Sequence, residues 1–212
     1  MRTISFLILA ILLSCSTNAD VVRVAVASNF RNPMIDIARQ FESNGEHTLV
    51  VSYGASGKLF AQIINGAPFD VFLSADQEKP QRLIDRRLAI ADTRMTYAYG
   101  QLILWSAQSS EQSLRDFLVT SEGRIAMANP RLAPYGQAAL ETLRTLSLIE
   151  QTQDRWVMGE NIAQTFHFVH SGNATAGFIE RERERERVHK RVHETSSNIP
   201  LSHYIPNEWE QS

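Results

Sequence analysis

Short apolar runs recur along the chain, and each is separated from the next by a stretch with helical spacing. Val21 to Ala27 (VVRVAVA) predicts a buried strand. Met34 to Phe41 follows with apolar positions at Met34, Ile35, Ala38 and Phe41, the spacing of one helix face. Leu49 to Tyr53 predicts a second strand and Leu59 to Ile64 a second helix. Phe69 to Leu73, introduced by Gly66-Ala67-Pro68, predicts a third strand. The middle of the chain repeats the scheme. Strands are expected at Tyr97 to Trp105, Arg124 to Ala128, Trp156 to Met158 and Ala176 to Ile179. Helices are expected at Leu114 to Leu118, Gly136 to Leu148 and Ile162 to Val169. Alternation of this kind implies an α/β fold with mainly parallel sheets. Because it occurs twice, two α/β lobes with a cleft between them are expected: lobe 1 over residues 20–96 and lobe 2 over 97–179.

The two ends break the pattern. Met1-Arg2, the apolar run Ile4 to Leu13 and the small residues Thr17-Asn18-Ala19 read as a signal peptide, residues 1–19, cleaved before Asp20. The run is short for a membrane-spanning helix. Leu12-Leu13-Ser14-Cys15 resembles a lipoprotein signal only loosely, since its second position is bulky, so cleavage after Ala19 is preferred to lipidation at Cys15. Cys15 is the sole cysteine, and the mature chain would have neither disulfide nor thiolate chemistry. At the other end Glu180 to Arg187 alternates Glu and Arg strictly. In a helix Glu180 would pair with Arg183 but repel Glu184, and in a strand both faces would be charged. Residues 180–212 are therefore read as an atypical charged tail, with Glu180 to Glu194 solvated and outside the core.

A formal net charge of -2 over 212 residues lacks the basic excess of a nucleic-acid binder. The chemistry that remains sits where strands give way to helices. Ser28-Asn29, Ala55-Ser56-Gly57, Pro134-Tyr135-Gly136 and Gly159-Glu160-Asn161-Ile162 all place small or polar residues at a helix start. Such a start presents unsatisfied backbone N–H groups and a partial positive potential, which suits an anion. Ser28 and Ser56 add hydroxyls, and Gly57 and Gly136 would let backbone approach a ligand closely. Each serine alone reads first as an ordinary helix cap, and it is the four starts together that point to an anion. No Lys or Arg is common to the four, so an oxyanion would be held by neutral dipoles rather than by an ion pair.

Other chemistries lack their residues. Gly57-Lys58 has Ser52 and Leu59 where a phosphate loop needs Gly and Ser or Thr. Gly54-Ala55-Ser56-Gly57 misses a nucleophile elbow by one residue. His167 with His170, and His189 with His193, could each share a helix face, but neither pair has a third ligand at standard spacing. Asp70 and Asp76 flank the third strand, where they read as structural, Asp76 capping the turn that follows.

AVASNF (Ala25 to Phe30), SYGASGKLFAQI (Ser52 to Ile63), NGAPFDVFLSAD (Asn65 to Asp76), ANPRLAPYG (Ala128 to Gly136) and GENIAQTFHFV (Gly159 to Val169) together resemble the periplasmic molybdate-binding protein family. The resemblance runs from about Val21 to Ile179. It implies a type II periplasmic-binding-protein fold, two α/β lobes with one tetrahedral oxyanion in the cleft. Carried over position by position, the family's ligand contacts fall on Ser28 or its neighbour Asn29, on Ser56, on Tyr135 and on Ile162. Tyr135 and Ile162 would use their backbone N–H groups. Molybdate would be held as an oxyanion, with no direct metal ligand and no cofactor. Past Ile179 the likeness fades: some members have a Tyr and others a small residue where this chain has Glu180, whose carboxylate must point away from a dianion or else weaken the site. Measured against the family, the chain also ends short of the strand and helix expected to complete lobe 1.

The resemblance implies a periplasmic, monomeric, non-enzymatic receptor that delivers molybdate, with tungstate, to the permease of an ABC transporter. Sulfate or another tetrahedral oxyanion is the alternative ligand. A hydrolase using Ser56 and a relative that no longer binds are the rivals from other classes; ester hydrolysis would mark the first, and a silent titration the second.

Overall fold

The computed structural model describes residues 20–43, 45, 47–106 and 112–181. The signal peptide with Cys15, the histidines 189 and 193 and the tail beyond Arg181 lie outside them. Two sheets are formed. In the first, β1 (Val21–Ala27) lies between β2 (Thr48–Gly54) and β3 (Val71–Leu73), and both pairings are parallel. The second has the order β4-β7-β5-β6, from Leu102–Ser106, Ala176–Glu180, Ile125–Ala128 and Trp156–Gly159. There β5 is parallel to both its neighbours, and β4 runs antiparallel to β7. Each parallel connection carries a helix, as the geometry of a crossover requires. The helices are α1 (Arg31–Ser43), α2 (Ser56–Ile64), α3 (Glu78–Asp85), α4 (Leu114–Thr120), α5 (Pro134–Thr145), α6 (Ile149–Thr152) and α7 (Ile162–His170). None of the described helices is long and apolar enough to cross a membrane.

The mixed second sheet is covered by α5 and α7 and holds the larger core. Leu118, Ile125, Met127, Leu143, Leu148 and Phe178 are its fully enclosed side chains. Val24, Val26 and Met34 form the smaller core of the first sheet. The expected buried strand at Val21 to Ala27 is buried only from Val24 onward. Likewise, the apolar face of α1 is divided. Met34 packs inward with Ala38 against the sheet, whereas Ile35 and Phe41 are exposed.

Three elements differ from expectation. The strand foreseen from Tyr97 pairs only from Leu102; Tyr97 instead packs on Phe30 and donates its hydroxyl to the Ser74 carbonyl. α3 and the short α6 have no counterpart in the apolar pattern, since α3 buries one side chain, Leu83, and α6 only Thr152. Glu180, assigned above to a solvated tail, is the last residue of β7 and is 4% exposed.

Candidate functional site

The four loops singled out in the sequence are all starts of helical structure that follow strand ends. β1 runs into a single 3-10 turn, Ser28–Phe30, and then α1. β2 is followed by Ala55 and α2, which opens on Ser56. The loop after β5 leads to α5, with Pro134 as first residue and Tyr135 as second. β6 leads to Asn161 and α7, which opens on Ile162. The first N–H groups of a helix have no carbonyl within the helix to bond, so these positions present donors at the carboxyl ends of parallel strands. Ser28, Ser56, Tyr135 and Ile162 are buried; Ser56 is 1% exposed.

The serines are not helix caps. Ala27 and Ala55 occupy the capping positions, and neither makes a side-chain cap bond. The Ser56 hydroxyl instead accepts the backbone N–H of Ala75, at 3.0 Å, from the loop after β3. Its proton remains available for donation to another acceptor. Asn161 is a true cap: its Oδ1 accepts the Gln164 N–H at 3.1 Å, and Gln164 Oε1 accepts the Glu160 N–H at 2.7 Å. These two bonds tie the first turn of α7 to the residues just before it and fix the direction in which its opening N–H groups point.

The loops of the two sheets meet. The Gly57 N–H donates to the Leu132 carbonyl at 2.8 Å. A Cβ at Gly57 would lie 2.7 Å from that oxygen, so a side chain there would hold the lobes apart. The close approach expected of Gly57 and Gly136 is thus between protein segments. At Gly136 it lets α5 begin against the Ala128 carbonyl, which a Cβ would meet at 2.1 Å. Beside Gly57, Lys58 and Glu160 form an ion pair from one lobe to the other. α7 packs against the Ser28–Phe30 turn.

A third meeting point was not foreseen. The Tyr135 hydroxyl donates to Glu180 Oε1 at 2.8 Å, and Asn29 Nδ2 stands 3.5 Å from the same oxygen. Asn29 belongs to the first sheet's end, and Tyr135 and Glu180 to the second. Of the two outcomes expected for Glu180, the carboxylate does not point away: it turns inward, toward two of the anticipated site residues. Tyr97 stands nearby, its hydroxyl donating to the Ser74 carbonyl at 2.7 Å and its ring edge-on to Phe30 at 4.8 Å. Burial first, then the negative charges of Glu180 and Asp76, push the Tyr97 hydroxyl well above its ordinary range. In the sequence, the Ser74-Ala75-Asp76 segment directly after the third strand was the available signal for this end of the site.

The acidic pair is structural. Asp70 accepts the Arg23 N–H at 2.7 Å, and Asp76 accepts the Lys79 N–H at 3.0 Å while pairing with its ammonium. Among the described residues no group of three or more His, Cys, Asp or Glu is placed to hold a metal ion. His170 instead stacks on Phe166 at 5.7 Å.

Comparison with known proteins places this geometry. A model of the bacterial extracellular solute-binding proteins matches residues 22–206. The molybdate-binding protein ModA of Azotobacter vinelandii is 44% identical over 170 residues, 79% of this chain and 68% of that protein. ModA of Rhodobacter capsulatus is 38% identical over 162 residues, 76% of this chain and 64% of the relative. The chain thus spans about two thirds of the length of these relatives. Among solved structures, the periplasmic molybdate-binding protein of A. vinelandii superposes with a TM-score of 0.70 at 37% identity, covering 75% of this chain and 71% of that one. The chain belongs to the bacterial extracellular solute-binding protein family, and within it to the molybdate-binding branch, with the two-lobed α/β fold of periplasmic binding proteins.

Proposed function

We propose that this chain is the periplasmic receptor of a molybdate import system, which takes up molybdate or tungstate and passes it to the permease of an ABC transporter. One observation supports the reading: four helical starts that follow strand ends, two from each lobe, each carry a buried residue in their first turn, Ser28, Ser56, Tyr135 and Ile162. In this reading Ser28 and Ser56 donate their hydroxyl and N–H groups to the anion, with Asn29 beside them. Tyr135 and Ile162 donate backbone N–H groups from the other side. An apolar side chain at Ile162 is no obstacle, because only its main chain is used.

The mechanism follows from the two-sided donor set. Each lobe alone offers half the donors, so the anion is satisfied only when the lobes come together. Contacts made only in that arrangement shift the population toward it. The Gly57–Leu132 hydrogen bond and the Lys58–Glu160 pair belong to it. A permease that engages both lobes can then distinguish loaded from empty receptor.

Calorimetric titration of the full chain with molybdate, tungstate and sulfate tests this. Molybdate and tungstate should bind with similar affinity and sulfate much more weakly. Sulfate as tight as molybdate would move the assignment to the sulfate receptors, and silence with all three would contradict binding altogether.

A further inference from the structure

The peptide group between Ser74 and Ala75 is held at both ends. Its carbonyl accepts the Tyr97 hydroxyl at 2.7 Å, and its N–H donates to the Ser56 hydroxyl oxygen at 3.0 Å. Amide resonance couples the two ends, so a donor on the oxygen makes the N–H a better donor. The Ser56 oxygen is engaged by that N–H, which leaves the Ser56 proton directed away from Ala75, on a side chain 1% exposed. Three donors thus follow one another: the Tyr97 hydroxyl, the Ala75 N–H and the Ser56 hydroxyl. The segment around the peptide is fixed as well. The Ser74 hydroxyl donates to Asp76 Oδ1 at 3.2 Å, and the same oxygen accepts the Lys79 N–H at 3.0 Å at the start of α3. Tyr97 lies in the stretch that leads from the first sheet to the second, and its ring packs edge-on against Phe30. It therefore reaches both helical starts of the first lobe, the Ser28–Phe30 turn through its ring and Ser56 through the peptide. Burial, and then the charges of Glu180 and Asp76, push its hydroxyl upward, so it keeps its proton and serves as a donor.

We infer that Tyr97 is a positioning residue for anion binding: through the Ser74–Ala75 peptide, its hydroxyl aims and strengthens the Ser56 hydroxyl as a donor to the bound oxyanion. The inference rests on the oxyanion reading of the site. Tyr97 acts through Ser56 rather than on the anion, so its contribution exists only while the Ser56 hydroxyl is present.

A double-mutant cycle, read by calorimetric titration of the full chain with sodium molybdate, tests this. Tyr97→Phe keeps the ring beside Phe30 and removes the hydroxyl. It should lower molybdate affinity about threefold to tenfold, the worth of one neutral hydrogen bond. In the Ser56→Ala background the same change should cost less than about twofold, because no hydroxyl is left to aim. An equal loss in both backgrounds would overturn the inference, since a role in packing or stability alone gives additive effects. Wild-type affinity in Tyr97→Phe would overturn it too. A second measurement needs the wild type alone and stands even if a variant does not fold. In the isotope-labelled chain, saturating molybdate should move the Ala75 amide proton downfield, because a hydroxyl that donates becomes a better acceptor. An unmoved Ala75 amide would break the chain of donors and the inference with it. Each of these failures leaves the receptor reading standing, whereas wild-type protein silent toward molybdate would overturn both.

Discussion

At the scale of single residues, Ser56 carries two tasks that can be measured apart. Its hydroxyl oxygen holds the Ala75 N–H, and its own proton is assigned to the anion. Ser56→Ala should therefore weaken anion binding by roughly tenfold to hundredfold, the worth of one hydrogen bond to a charged group. It should also lower stability by about 1–3 kcal/mol, because the Ala75 N–H is left without its partner. Calorimetry reads the first and urea denaturation the second. Unchanged affinity with lowered stability would reduce Ser56 to a structural tie. The helix starts that carry the proposed donors were legible beforehand because a helix start is a local event: a strand end, a small residue, then helical spacing. Glu180 was not legible. The residues that follow it in sequence alternate Arg and Glu, and the partners beside it, Asn29 and Tyr135, are distant along the chain. Local composition carries no information about such a contact.

At the scale of elements, what matters is how each helix is aimed. α7 is held by the Asn161 cap and by the Gln164 side chain reaching back to Glu160. Asn161→Ala should cost about 1 kcal/mol of stability and should weaken anion binding, since the opening N–H groups lose their fixed direction. Denaturant midpoints of wild type and variant check the first, and titration the second. A variant as stable as wild type would mean that packing of Phe166 and Val169, rather than the cap, sets α7. Element prediction succeeded where apolar side chains face one way. It failed for α3 and α6, which bury almost nothing, and ran too long at Tyr97. There Tyr97 packs edge-on against Phe30 and bonds the Ser74 carbonyl, and makes no strand pair.

For the whole molecule, the account depends on two lobes reaching one another. Gly57→Ala addresses this directly, because the added Cβ falls 2.7 Å from the Leu132 carbonyl oxygen of the facing lobe. Overpacking of this kind costs about 1–3 kcal/mol. Affinity should drop by about tenfold to hundredfold while the unfolding midpoint changes little. Loss of the fold instead would place Gly57 in the core of one lobe. The duplicated alternation of strands and helices made the two-lobed architecture readable from sequence. The contacts between lobes were not readable, because Gly57, Lys58 and Asn29 meet their partners only across the seam.

The measurement that bears most directly on the central claim is the position of the anion itself. Crystals grown with molybdate or tungstate give an anomalous peak at the metal centre. The account predicts one peak where the lobes meet, with the oxyanion within hydrogen-bond distance of the Ser28 and Ser56 hydroxyls and of the Tyr135 and Ile162 backbone N–H groups, and with no cation beside it. A peak held by lysine or arginine side chains elsewhere, or one touching a single lobe, would contradict it.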